Sequence, residues 1–146
     1  MARTSTYLNF NRNTEEAFRF YKSVFGTEFS RPIARMGDAP PCDPGQPPLP
    51  DTDKNLVLHI ELPILGGHVL MGTDASESMG FKLVQGNNVH LNLEPDTRAE
   101  TDRLFKALSD GGKVEMQLME MFWGGYFGSL VDRFGTQWMF NCASKT

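Results

Sequence analysis

The chain is poor in the residues on which disulfide frameworks and metal knuckles are built. Two cysteines occur in 146 residues, Cys42 and Cys142, far apart and without metal-type spacing. They read as two free thiols in a reducing compartment. Histidine is scarce too, with three in the chain: His59, His68 and His90. No apolar run approaches the roughly 20 residues of a membrane helix. The opening "MARTSTYLNF" lacks the apolar core of a signal peptide, so the expected location is cytoplasmic. Basic residues are outnumbered, 14 Lys and Arg against 18 Asp and Glu, for a net charge of −4, and they are scattered. Without a basic stripe to meet a phosphate backbone, nucleic acid and membrane surfaces are not expected partners.

What remains is ordinary globular usage, 40% hydrophobic and 22% charged. A chain of this length is expected to form a single domain, 1–146, burying about 68–70% of its unfolded surface. Within it the elements come in a repeated order. "STYLNF" reads as a strand, followed by a helix over "NRNTEEAFRFYKSVFG". Asn13 and Glu16 are placed to form its capping box, and Gly26 to stop it. Ala17, Phe20, Tyr21, Val24 and Phe25 form its apolar stripe. "EFSRPIARM" is expected as an edge strand near Pro32. The proline-rich stretch 37–54, with six of the nine prolines, reads as a long surface loop. "NLVLHIELPIL" and "GHVLMGTD" read as two strands joined at Gly66-Gly67.

The second half replays this order. "NNVHLNLE" is a strand, and "DTRAETDRLFKALSDGG" a helix with Thr97 and Glu100 as its capping box. The strands "KVEMQLMEM", "GYFGSLVD" and, after the Gly135 turn, "TQWMFNC" follow. "YLNF" at 7–10 echoes "HLNL" at 90–93. The expected fold class is α+β, two βαβββ modules at 1–83 and 84–146, whose mixed sheets form a curved cup with the helices on the outer face. Strand alternation then sorts the side chains. Tyr7 and Asn9 face the hollow, as do His59 and Glu61, His90 and Asn92, and Gln137, Met139 and Asn141. Leu8, Phe10, Leu56, Leu58, Ile60, Val89, Leu91, Leu93, Trp138 and Phe140 pack on the other side. His68, directly after the glycine pair, is expected in solvent. Phe122 and Trp123 in "FWGGY" are expected at a rim or a dimer contact.

The stretches "YLNFNRNTEEAFRFYKSVFG", "HIEL", "LMGTD", "FKALSDGGKVEM" and "FWGGYFGSLVDRFGTQWMFN" resemble the vicinal oxygen chelate superfamily of glyoxalases, bleomycin-resistance proteins and ring-cleaving dioxygenases. Within it the chain looks most like the PhnB-like group, whose members are often described as 3-demethylubiquinone methyltransferase-like and commonly pair as dimers. The resemblance implies the glyoxalase-type fold and a homodimer. No glycine-rich strand-to-helix loop offers a site for S-adenosylmethionine. Metal-dependent members carry a divalent ion on four positions, which fall here on Tyr7 (or Thr6), Met71, His90 and Met139. Two thioethers stand where carboxylates are expected, so no family-type metal and no cofactor are expected.

Two readings therefore stay open. One is a small-molecule binder whose ligand-binding residues are Tyr7, Asn9, Met71, His90, Asn92, Gln137, Met139 and Asn141. The other is an enzyme of the same superfamily, a lyase, isomerase or dioxygenase. Its catalytic candidates are His59, Glu61 and His90, with a divalent metal possible on that displaced set or proton transfer without one.

Overall fold

A computed structural model describes residues 1–40, 45 and 47–146, so Cys42 lies outside the described residues. The chain divides into two compact units, Met1–Leu83 and Val84–Thr146. The first contains β1 (Thr6–Phe10), α1 (Thr14–Phe25), β2 (Ala34–Arg35), β3 (Val57–Pro63) and β4 (Val69–Asp74). Its four-stranded sheet has the order β1-β4-β3-β2. β1 and β4 are parallel and the other pairs antiparallel. The second contains β5 (Leu91–Leu93), α2 (Arg98–Ser109), β6 (Lys113–Glu120), β7 (Tyr126–Val131) and β8 (Gln137–Cys142). Its order, β5-β8-β7-β6, repeats that of the first, again with one parallel pair. The α+β class and the twofold βαβββ order are thus present, each helix packed on its own sheet.

In the first unit the helix stripe is Thr14, Ala17, Phe18, Tyr21 and Val24, all buried. Phe18 takes the central place expected of Phe20, which is only half-buried. Phe18 meets Phe10 and Tyr21 edge to face at 6.4 and 5.8 Å, over Ile60, Leu62 and Leu70. Gly72 on β4 makes this possible, since a Cβ there would stand 2.6 Å from the Phe18 ring. The second core is built alike, from Leu104, Phe105 and Leu108 against Leu130, Trp138 and Phe140.

The helix starts differ from expectation in an instructive way. At α2 the Thr97 hydroxyl accepts from the Glu100 amide at 3.2 Å, but the Glu100 carboxylate turns outward to Arg103. At α1 neither half of the Asn13–Glu16 box forms, and Asn13 makes no side-chain cap. The cap comes instead from Asp74 at the end of β4. Its Oδ1 accepts the Thr14 amide at 3.1 Å and the Thr14 hydroxyl at 2.7 Å, while Oδ2 accepts the Val57 amide at 2.8 Å. One buried carboxylate therefore ties helix, β3 and β4 together, and it takes the first amide of the helix.

The strands depart from expectation where pairing fails. β2 is two residues long, beginning after Pro32, which has no N–H to offer, and ending where a short 3-10 helix starts at Met36. Between Ala34 and Arg35 the register against β3 slips by one residue, and alternation breaks there. Val57 is consequently buried and Leu58 is 36% exposed, the reverse of expectation. β5 shrinks to three residues, and Val89, expected in the core, is 69% exposed. The Gln137 side chain binds the Val89 carbonyl at 2.8 Å in place of a backbone ladder. His68 is not in solvent but half-buried, its Nε2 2.8 Å from the Thr6 hydroxyl.

The proline-rich stretch returns to the sheet through Asp53, whose side chain is 1% exposed and pairs with Arg12 at 2.8 Å. Ser76, Ser78 and Thr52 complete the shell around this carboxylate. Arg12 holds a left-handed backbone, φ 68°, a conformation that a non-glycine residue keeps only when its surroundings enforce it.

Two outcomes follow. Asp74→Ala removes three buried hydrogen bonds and strands their donors. It is expected to cost about 2–4 kcal/mol in urea unfolding, with Asp74→Asn costing less. Arg12, and after it Ser78, hold the Asp53 carboxyl at about 2, below the roughly 3.9 of an unfolded chain. That stabilisation is complete above the unfolded value and is lost as pH falls toward 2. Asp53→Asn should therefore flatten the stability–pH curve between about pH 4 and 2, while an unchanged slope would show the pair to be inert.

Candidate functional site

The sheet of the first unit has one face under α1 and one face free of it. On the free face the register sets Tyr7 beside Met71, Asn9 beside Thr73, and Glu61 beside Met71. Tyr7, Met71 and Glu61 thus form one row across β1, β4 and β3. His59 lies two residues from Glu61 and completes the group. Its Nε2 is 2.9 Å from Glu61 Oε1, and its Nδ1 is 3.5 Å from the Tyr7 hydroxyl, the outer limit of a hydrogen bond. The two rings lie 5.9 Å apart. Because Glu61 accepts from Nε2–H, the network assigns His59 a tautomer whose Nδ1 lone pair points at Tyr7.

The electrostatics follow from these neighbours. Glu61 is 7% exposed, yet its pKa lies below the usual carboxylate value. The hydrogen bond from His59 outweighs burial, and the charges of Arg31 and Arg3 add to it. Arg31 reaches Glu61 at 3.6 Å. Burial pushes the Tyr7 phenol above its usual value, with the neighbouring Thr73 opposing it in part. The site is therefore a neutral phenol, an imidazole and a held carboxylate in line, beside a thioether. Such a line can pass a proton between its ring groups while the carboxylate fixes the imidazole. Arg31 and Thr73 were not singled out from the sequence. Thr73 was accessible by alternation two residues beyond Met71, whereas nothing local signals Arg31. Thr6 faces away from this group and is spent on His68.

In the second unit Gln137, Met139 and Asn141 alternate with the fully buried Trp138, Phe140 and Cys142. Asn92 stands beside Met139. His90 precedes β5, and its Nε2 lies 3.2 Å from Glu115 on β6, a partner that sequence reading missed. β5 and β6 are the two edges of the sheet, roughly 14 Å apart if flat. Their side chains meet only if the sheet curls toward this face. Gln137 is buried and committed to Val89. Asn141 Oδ1 is buried without a hydrogen-bond partner, beside Gly125 and the Trp123 indole.

The register also separates the two methionines. Met71 opposes Tyr7, but Met139 opposes Asn92, the counterpart of Asn9 when "YLNF" is matched to "HLNL". Counting four residues from each turn glycine made them equivalent, but the turns differ in construction. In the second, Asp132 accepts the Phe134 and Thr136 amides and the Trp138 indole.

These donors do not fit a hard divalent ion. Tyr7 is held as a phenol, Met71 and Met139 offer thioethers, and His90 directs a nitrogen to Glu115. Among the described residues no three His, Cys, Asp or Glu side chains gather as a metal site requires. A groove of about 430 Å³ beside the start of α1 is charged and already satisfied, with Glu15 held by both Arg35 and Arg19. Among the described residues no helix is long and apolar enough to cross a membrane.

Residues 2–140 match the family described as 3-demethylubiquinone-9 3-methyltransferase. The chain is 30% identical to protein YjdN of Escherichia coli, over 97% of this chain and 95% of that protein. The crystal structure of protein PA1353 from Pseudomonas aeruginosa superposes with a TM-score of 0.82 at 33% identity, covering 97% and 98% of the two chains. A glyoxalase/bleomycin resistance protein/dioxygenase family enzyme from Burkholderia phytofirmans shares the fold, with a TM-score of 0.60 at 18% identity over 95% and 98%. Matched over nearly its whole length, and built of two βαβββ units with the glyoxalase-type fold, the chain belongs to the 3-demethylubiquinone-9 3-methyltransferase family.

Proposed function

We propose that this protein binds a small, largely apolar organic molecule on the free face of its first unit, without the divalent ion of metal-dependent relatives, and acts in the cytoplasm. The observation that carries the reading is the row Tyr7–Met71–Glu61. An uncharged phenol and a thioether occupy the places of ligands, and the one carboxylate is committed to His59. Met71 supplies an adaptable apolar wall, and Asn9, Thr73 and the Tyr7 hydroxyl supply orienting hydrogen bonds. The Met139–Asn92 face of the second unit offers the same mixture of thioether and amide. Methyl transfer gains no support from these residues. Proton transfer does gain support, because the Glu61–His59–Tyr7 line is an acid–base group that needs no metal.

The experiment is elemental analysis of protein purified without chelator, followed by equilibrium dialysis against radiolabelled benzyl alcohol with and without EDTA. Divalent metal well below 0.1 per chain and saturable binding indifferent to EDTA are expected. Met71→Ala should weaken that binding by roughly 3- to 10-fold, the value of part of an apolar contact. One tightly held ion per chain, or binding abolished by EDTA, overturns the reading.

Pairing of two copies belongs to the same reading. β6 is an eight-residue edge strand, exposed along most of its length, with Met116 and Met119 40% and 49% exposed. Phe122, 98% exposed, and Trp123 meet edge to face at its end, 5.0 Å apart. An edge of this kind attracts another strand unless it is covered. Sedimentation at micromolar concentration should show a dimer that Phe122→Ser combined with Trp123→Ser converts to monomer. A monomeric wild-type boundary contradicts it.

A further inference from the structure

The basic residues around Glu61 are more numerous than that carboxylate can use. Arg31 approaches it through Nε at 3.6 Å, with a side chain 63% exposed. Among the described residues, the two terminal nitrogens of Arg31 have no hydrogen-bond partner. Arg31 is nevertheless well placed, because the amide of Ser30 before it donates to the Glu61 carbonyl at 3.1 Å. The segment is thereby fastened to β3 at the very residue that carries the acid.

Two arginine charges, Arg31 and Arg3, act on Glu61 beside the hydrogen bond from His59. The chain as a whole carries −4, so this is a locally basic spot on an acidic protein. Glu61 has one oxygen on His59 and the other at long range from Arg31. The Glu61 side chain is nearly covered, while that of Arg31 is largely exposed. A guanidinium with two unused terminal nitrogens matches a carboxylate in a bidentate, charge-assisted pair. The apolar wall for the rest of such a molecule, Met71 with the Tyr7 ring, stands in the same row as Glu61.

We propose that Arg31 anchors the carboxylate of the bound molecule through its two terminal nitrogens, so that the ligand class is a small organic carboxylate whose apolar body lies on Met71 and Tyr7. This rests on the small-molecule reading above and adds the charge of the ligand to it. Arg31 is the residue that determines specificity, while His59 and Tyr7 remain beside the body of the ligand.

The test uses the full chain and two probes of equal size, sodium benzoate and neutral benzyl alcohol, in equilibrium dialysis at low ionic strength. Benzoate is expected to bind at least 10-fold more tightly than benzyl alcohol, and the advantage should shrink as salt is raised. Arg31→Gln should lower benzoate affinity at least 10-fold and leave benzyl alcohol unchanged. Arg31→Lys should retain part of the preference, which separates lost charge from lost packing. Arg133→Gln, which alters an ion pair with Asp110 in the second unit, is the neutral control. Equal affinity for the two probes, or an Arg31→Gln variant with unchanged preference, overturns the assignment of Arg31 and leaves the small-molecule reading standing. Binding of neither probe removes both.

Discussion

The first unit depends on a single buried carboxylate. Asp74 ends β4, caps α1 through Thr14 and holds the first amide of β3 at Val57. Each contact alone is an ordinary hydrogen bond to a charged acceptor, worth on the order of 1.5–3 kcal/mol. Their joint effect is geometric. They fix where β3 begins relative to β4, and so which residues of β3 share a row with Met71. A slip of one residue would send Glu61 to the core and Ile60 to the free face. The His59–Glu61–Tyr7 line is thus positioned by a group on the opposite side of the sheet from it.

The second unit reaches the same topology by other means. Asp132, also buried, organises the β7–β8 turn and receives the indole of Trp138. The two aspartates are not counterparts. One caps a helix from the end of β4, and the other shapes the turn before β8. The matching strand orders β1-β4-β3-β2 and β5-β8-β7-β6 are therefore held by different polar groups in the two units. The same holds for the free faces, where one unit pairs its histidine within a strand and the other pairs it across the sheet edges.

This explains which features were legible in the sequence. The order of elements, the left-handed glycine at Gly26 and the alternation that buries Trp138 and Phe140 while leaving Met139 free are local properties, and they were readable. The Asn13–Glu16 box was locally plausible and lost to Asp74, sixty residues away in the chain. Leu58 and Val57 exchanged places because a register slip opposite β2 is decided by the partner strand. Val89 fell outside β5 because β8, the neighbouring strand in the sheet of the second unit, begins too late to pair with it, and Gln137 substitutes a side chain. Arg31 and Glu115 escaped notice for the same reason. Each acquires its meaning from a residue on another strand, and neither belongs to a recognisable spacing.

The methionine at position 71 changes more than the identity of a ligand atom. A carboxylate there would stand beside Glu61 and Tyr7, and two acids on one row would create the negative field that a divalent cation needs. With a thioether, the only acid on the row is already hydrogen-bonded by His59, and Arg31 and Arg3 add positive charge around it. A face that holds a hard cation and a face that welcomes an organic anion make opposite demands on the same few side chains. Replacing one acid by Met71 satisfies the second demand by removing the first. On this view the lack of a second acid beside Glu61 and the availability of Arg31 act together, and introducing a carboxylate with Met71→Glu should raise affinity for a divalent ion and lower it for benzoate in the same protein.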